Sequence, residues 1–291
     1  MKAVVVTGAS TGIGEACVNL LVEQDYLVFV AVRKEADAAK IAAQHGAAIF
    51  PLIFDVTDAD AIAEAAKIVE ARLAGDALAG LVNNAGIAVP GPLLYLPIED
   101  FRRQIEVNLT GQLRVIQAFG PLLGAGPARK GPPGRIVNMS SVAGRFAAPF
   151  MGAYNASKFG LEGMSDALRR ELMVFGVDVI LIEPGIIATP IWDKAEQAEF
   201  EGLDGTVYEA AGRRMLKWLV AQGRQAPGPD VVARAVLRAL TEAKPPVRIP
   251  VVSNYFADYA LRSLLPTRLI DWLTARRLGL LKENSGGPAE D

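Results

Sequence analysis

Short apolar runs alternate along this chain with stretches whose apolar positions recur every three to four residues. Val4-Val5-Val6 leads to a helical pattern from about Gly12 to Glu23, and Leu27 to Val32 leads to one from about Glu35 to Gln44. Ala48 to Phe54 precedes a helix from Asp58 to Leu73, and Leu81-Val82-Asn83-Asn84 precedes helical sequence from about Ile98 to Leu123. Arg135 to Met139 is followed by a helix from about Met151 to Phe175, and Val177 to Ile182 makes a sixth strand. Short β-branched runs separated by helices predict an α/β fold built on a doubly wound parallel sheet. Pro51 inside the third strand marks an edge or a bulge, because proline cannot donate to a ladder. The stretch from Gly124 to Gly134, with Pro127, Pro132 and Pro133, reads as a surface loop. No internal repeat is evident.

Composition narrows the class. Of the 291 residues, 51 % are hydrophobic and 21 % charged, a globular balance that allows one large α/β domain or two small ones. A net charge of −2 gives no basic surplus for binding nucleic acid. Met1-Lys2 runs straight into the first strand, so no signal peptide is expected, and no apolar stretch is long enough to span a membrane. Cys17 is the single cysteine, which excludes an internal disulfide; it falls on the apolar side of a helix and reads as a small buried filler. A cytoplasmic location is expected. His45 is also single and reads as a helix-end surface residue, which argues against Ser-His-Asp hydrolysis, unless a variant uses another base, and against a histidine zinc site. No residue pattern calls for a metal.

Two constellations carry candidate chemistry. Thr7-Gly8-Ala9-Ser10-Thr11-Gly12-Ile13-Gly14 lies between the first strand and the first helix. Glycines there let the backbone approach a pyrophosphate, which the helix N-terminus also attracts. Further on, Tyr154 and Lys158 stand four residues apart, on one face of a helix. An ammonium beside a phenol is expected to lower the tyrosine pKa and fit it for proton transfer near neutrality.

The order of motifs resembles the short-chain dehydrogenase/reductase family, with its Rossmann-type sheet. The resemblance covers roughly residues 3 to 250. It rests on Thr7 to Gly14, Asp55, Asn83-Asn84-Ala85-Gly86, Asn108, Ser141, Tyr154 with Lys158, and Pro184-Gly185 with Thr189. It implies an oxidoreductase with Asn108, Ser141, Tyr154 and Lys158 as catalytic residues. Ser141, thirteen residues before Tyr154, would hydrogen-bond the substrate oxygen, while its neighbour Ser140 is expected to cap backbone. Tyr154 would transfer the proton, Lys158 would hold the nicotinamide ribose, and Asn108 would anchor a water beside the lysine. The dinucleotide would be held by Gly8, Ser10, Thr11, Gly12, Ile13 and Gly14, by Asp55 and Val56, and by Asn84, Ala85 and Gly86. Tyr154, Lys158, Pro184, Gly185, Ile187 and Thr189 would complete its site. At the end of strand two, Val32-Arg33-Lys34 offers two cations where an NAD site usually has a carboxylate, so NADP(H) is expected before NAD(H).

Specificity is expected from segments after strands four to six. Ser141, Ala143, Phe146, Phe150, Tyr154, Ile191 and Trp192 are the candidate substrate contacts, within a mostly apolar wall. Residues 1–250 are read as the dinucleotide-binding catalytic domain, with a substrate loop over 186–226, and 251–291 as a helical extension ending in a frayed tail. In that extension Leu261, Leu264 and Leu265 repeat at helical spacing. Pro266 can start a further helix with Leu269, Trp272 and Leu273 on one side. Packing on its own domain or on a partner subunit is expected before contact with a membrane surface. Similar extensions in family members resembling steroid and retinol dehydrogenases imply a hydrophobic substrate of steroid, retinoid, lipid or aryl type. A secondary alcohol and a ketone or aldehyde would be interconverted. An NAD-dependent alcohol dehydrogenase and a non-catalytic NADP(H)-sensing protein are the alternatives. The resemblance also implies a homodimer or homotetramer.

Overall fold

The structure, a computed structural model, describes residues 2–190, 203–260 and 264–281. Among these, seven strands form one sheet: β1 (Ala3–Thr7), β2 (Leu27–Val32), β3 (Ile49–Ile53), β4 (Gly80–Asn83), β5 (Arg135–Met139), β6 (Asp178–Pro184) and β7 (Arg248–Val251). Their order is β3-β2-β1-β4-β5-β6-β7, and every neighbouring pair is parallel. The order reverses between β1 and β4, which opens a crevice at the carboxyl ends of those strands. Both edge strands contain a proline, Pro51 in β3 and Pro250 in β7. An edge position tolerates the missing donor. The seventh strand was not foreseen; its four residues include Pro250 and follow Pro245-Pro246, which masks a strand pattern.

The helices are α1 (Gly12–Glu23), α2 (Glu35–His45), α3 (Ala59–Leu73), α4 (Ile98–Ile105), α5 (Gly111–Phe119), α6 (Gly152–Glu171), α7 (Glu209–Gln225), α8 (Asp230–Thr241) and α9 (Thr267–Leu278). Asp58 caps α3, its side chain accepting from Asp60 N and Ala61 N at 3.1 and 3.0 Å. Strand side chains alternate between two layers. Val4, Val6, Val28 and Val30 pack with Cys17 and Leu21 of α1, Ile41 of α2 and Val236 of α8. Ala3, Val5, Phe29 and Leu81 face Ile62 and Val69 of α3 and Val115 and Phe119 of α5. Cys17 is thus the buried filler expected, its thiol pushed up to about 12 by burial.

The helix expected over Ile98 to Leu123 is interrupted by a π turn at Glu106–Thr110, where α4 passes into α5. Pro266 precedes α9 as expected, but Leu269, Trp272 and Leu273 stay 42, 45 and 47 % exposed. Instead α9 docks by its far end: Leu278 is buried, and Arg214 of α7 donates to its carbonyl at 2.6 Å. Arg277 covers the Trp218 ring at 4.7 Å. No helix among the described residues is long and apolar enough to cross a membrane.

Candidate active site

The glycine turn after β1 is built by a hydroxyl. Thr7 Oγ1 accepts from the backbone N–H groups of Asn84 and Ala85, each at 3.0 Å. Asn84 Nδ2 donates back to the carbonyls of Thr7 and Gly8 at 3.0 and 3.1 Å. The carboxyl ends of β1 and β4 are thereby tied together at the reversal of strand order. Gly8 has φ +63°, and a Cβ there would lie 2.8 Å from Ala85 Cα; one on Gly14 would lie 2.2 Å from Gly8 O. Only glycine fits both places. Thr11 opens α1 without a side-chain cap, which leaves the first amides of the helix uncapped by their own N-cap residue. Such a cradle suits a pyrophosphate. Thr189 lies across the turn, 3.4 Å from a Cβ built on Gly12. Ile187 is buried, and Gly185 N is fixed to Val251 O at 2.9 Å. The segments that carry Ser10 to Ile13 and Pro184 to Thr189 therefore converge on one crevice.

Arg33 and Lys34 stand exposed at the end of β2. Arg33 reaches Asp55 Oδ2 at 3.8 Å, while Asp55 Oδ1 accepts from Thr57 N and Oγ1 at 2.9 and 2.8 Å. The pair is solvated and long, so it leaves the guanidinium available to an anion. Val56 is buried, and Gly86 lies close to Asn108, 3.3 Å from a built Cβ to Oδ1.

Asn108 sits in the π turn and is wholly buried. Its Oδ1 accepts from Ile87 N at 2.8 Å, and its Nδ2 donates to Ile87 O at 2.9 Å and Ser157 Oγ at 3.3 Å. The side chain thus fixes the loop after β4 to α6. Gln104 repeats the device, accepting from Val89 N at 2.7 Å and donating to Ile87 O at 2.9 Å. Sequence reading missed Gln104 and the strand-tying role of Thr7; a buried polar residue on a helix face is the signal that singles out Gln104.

Ser141, Tyr154 and Lys158 come together at the ends of β5 and α6. Ser141 Oγ donates to Pro184 O at 3.3 Å and accepts from Ala143 N at 3.1 Å. Ser141 also caps the following turn, whereas the Oγ of Ser140 is buried without a partner, so the backbone-capping role expected of Ser140 falls to its neighbour. Lys158 is buried, donates to Met139 O at 2.7 Å, and lies 5.7 Å from the Tyr154 ring centroid. Burial lowers its pKa to about 8, against the nearby Glu162 carboxylate. Tyr154 corrects the expectation for its phenol. Its pKa is raised by burial, the stronger effect, while the hydrogen bond with Ser141 pulls the other way. The ammonium of Lys158 is directed at a backbone carbonyl, so it does not offset the desolvation of the phenol.

The expected substrate wall is placed in part. Ala143 and Phe146 are half-buried beside Ser141. Phe150 instead belongs to a satellite core with Ala211, Met215 and Leu278, its ring 6.0 Å from that of Tyr208. It holds φ +63°, uncommon for an aromatic residue. Ile191 and Trp192 lie outside the described residues, as does the 191–202 part of the loop expected over 186–226; its later part is helix α7. No group of three or more potential metal ligands occurs among the described residues.

A parallel sheet with this strand order and a serine, tyrosine and lysine at its carboxyl edge defines a dinucleotide-dependent oxidoreductase class. The short chain dehydrogenase family model matches residues 2–199, and the chain belongs to that family. It is 35 % identical to the NADPH-dependent 3-dehydrocapnine reductase of Ornithobacterium rhinotracheale, over 98 % of this chain and 100 % of that protein. It is 33 % identical to retinol dehydrogenase 5 of Homo sapiens, over 92 % of this chain and 86 % of that one. Among solved structures, a short chain dehydrogenase/reductase from Burkholderia phymatum in complex with NAD aligns with a TM-score of 0.75 at 26 % identity, covering 94 % of this chain and 95 % of that one.

Proposed function

We propose that this chain is an NADPH-dependent carbonyl reductase acting on a ketone or aldehyde of a hydrophobic small molecule. The observation that carries the reading is the convergence of Ser141, Tyr154 and Lys158 beside Pro184: a phenol hydrogen-bonded to a serine and lying 5.7 Å from a buried lysine can pass a proton to an oxygen that the serine also holds. In reduction a proton must reach the carbonyl oxygen, and Tyr154 supplies it. Ser141 holds the same oxygen and stabilises the charge that develops on it. Lys158 keeps a buried cationic head next to the phenol, and Asn108 and Gln104 fix the loop that floors the site. The glycine turn, Asp55, Asn84 to Gly86 and the 184–189 segment hold the dinucleotide. Bound there, the nicotinamide supplies hydride chemistry. Arg33 and Lys34 favour a 2′-phosphate, and the most fully covered relative described above carries NADPH in its name.

Exposed Phe159, Met173, Val174 and Phe175 along and beyond α6 support assembly into a homodimer or homotetramer. An NAD(H)-dependent dehydrogenase is the second reading, since the Burkholderia phymatum structure is a complex with NAD. Absorbance at the nicotinamide band, with NADPH or NADH across ketones, aldehydes and sterols, separates the two. Turnover preferring NADPH is the expected result. A preference for NADH overturns the cofactor assignment, and tight NADPH binding with no turnover across the panel overturns catalysis.

A further inference from the structure

Beneath the Pro184 turn lies a buried ionic cluster that neither the cofactor site nor the proton donor uses. Glu183, the residue before Pro184, is completely buried on β6. Arg248 of β7 sits among three carboxylates, with Glu162 Oε2 at 2.9 Å, Asp166 Oδ2 at 3.0 Å and Glu183 Oε1 at 3.5 Å. Arg145 faces the same carboxylate from the turn after Ser141. Neither Glu183 oxygen meets a donor in full hydrogen-bond geometry, and Glu162 Oε1 and Ser140 Oγ are likewise buried without a partner.

Tyr259 closes this cluster from the C-terminal extension. It lies in the turn Phe256–Ala260, soon after β7 leaves the sheet beside Gly185. Its phenol faces Glu183 closely enough that each perturbs the other's ionisation. Its ring stands edge-on to Phe146, with centroids 5.9 Å apart at 86°, and stacks on Tyr255 at 5.5 Å and 25°. One side chain therefore joins a buried anchor under the Ser141–Pro184 contact to an aromatic surface beside Ala143 and Phe146.

We propose that Tyr259 is a specificity-determining residue of the proposed reductase: its ring, packed between Phe146 and Tyr255, extends the Phe146 wall over the part of a bulky apolar ketone that lies beyond the carbonyl. The inference rests on the reductase reading. Aromatic rings present large, rigid apolar area, so a bulky substrate gains from the wall and a small one does not reach it. The edge contact with Phe146 and the stack on Tyr255 keep the ring on this wall. The C-terminal extension thereby belongs to the substrate site.

The test compares the specificity ratio, kcat/KM for a bulky aryl or polycyclic ketone divided by that for butanedione, in wild type, Tyr259→Phe and Tyr259→Ala with NADPH. Removal of the ring is expected to lower that ratio about tenfold, the scale of lost apolar contact in a pocket. Tyr259→Phe, which keeps the ring and its contacts with Phe146 and Tyr255, should stay close to wild type. A general folding defect depresses both substrates together, so an unchanged ratio in Tyr259→Ala overturns the proposal. Binding of Nile red to the NADPH complex gives a reading independent of turnover. Weaker binding by Tyr259→Ala than by wild type supports the wall, and equal binding overturns it. Wild type that binds NADPH and Nile red but reduces no ketone removes the reductase reading alone.

Discussion

Lys158 donates to the backbone carbonyl of Met139 at 2.7 Å, so the ammonium at the centre of the site is anchored to a strand end and not to a carboxylate. Such anchoring orients the charge without neutralising it, and burial lowers the lysine pKa from 10.5 to about 8. Below pH 8 the folded protein carries the full cost of a buried ammonium. Between about 8 and 10.5 the folded lysine has lost its proton while the unfolded one keeps it, so this contribution to stability rises with pH. Replacing Lys158 by Met removes that dependence, a change on the order of 1–3 kcal/mol. Thermal melting of both forms from pH 7 to 10 checks it, and parallel curves would contradict the burial argument. The same variant should lose catalytic efficiency on the order of a hundredfold, the scale of a proton-transfer partner.

Tyr154→Phe keeps the ring and deletes the proton. The loss expected in kcat is roughly 10²–10⁴-fold, with NADPH affinity within twofold of wild type. Stopped-flow turnover paired with a cofactor fluorescence titration separates the two quantities. Survival of turnover would reassign the proton donor, and Ser141, the hydroxyl that shares its hydrogen bond, would be the next candidate.

Arg33 offers the third test. Its contact with Asp55 is long and exposed, so its removal should cost little stability. Against a 2′-phosphate, a charge-assisted contact is worth considerably more. Arg33→Ser should raise the Kd for NADPH about tenfold and leave that for NADH nearly unchanged, a tenfold change being about 1.4 kcal/mol. Equal weakening of both cofactors would place Arg33 outside the phosphate site and count against the assignment of NADP(H).

Much of this site was legible because its residues carry local signatures. The glycines, Tyr154 with Lys158, and the strand-helix alternation depend on spacing and period, which a sequence displays directly. What escaped depends on distance across the fold. Thr7 looks like an ordinary strand end until Asn84 and Ala85, just past β4, bring their two amides to its hydroxyl. Ser140 and Ser141 are indistinguishable by type, and their roles follow from which oxygen meets Ala143 N. The direction of the Tyr154 shift was misread because a four-residue spacing says nothing of where the ammonium points or how deeply the phenol is buried. Leu269, Trp272 and Leu273 have the spacing of a buried face, yet the docking of α9 is decided by Leu278 and Arg214 at its end.

Glu183 ties pH to the same region from the opposite side. Burial is the largest influence on its carboxyl and, with the neighbouring Glu162, outweighs Tyr259, Arg145 and Arg248, raising its pKa from 4.5 to about 7. A carboxyl whose folded pKa lies above its unfolded value binds the proton more tightly when folded. Its effect on stability is therefore a loss as pH rises from about 4.5 to 7, complete above that range. The Lys158 cost persists until about pH 8, so the two penalties overlap between pH 7 and 8. Glu183→Gln stays neutral throughout and keeps the shape of the side chain. Above pH 7 it should melt a few degrees higher than wild type, on the order of 1–2 kcal/mol, and the gap should close towards pH 5. Melting curves at half-unit pH intervals decide the matter. A gap that stays constant from pH 5 to 8 would mean that the glutamate acts through packing and hydrogen bonding, and that its charge is compensated by Arg248 at every pH.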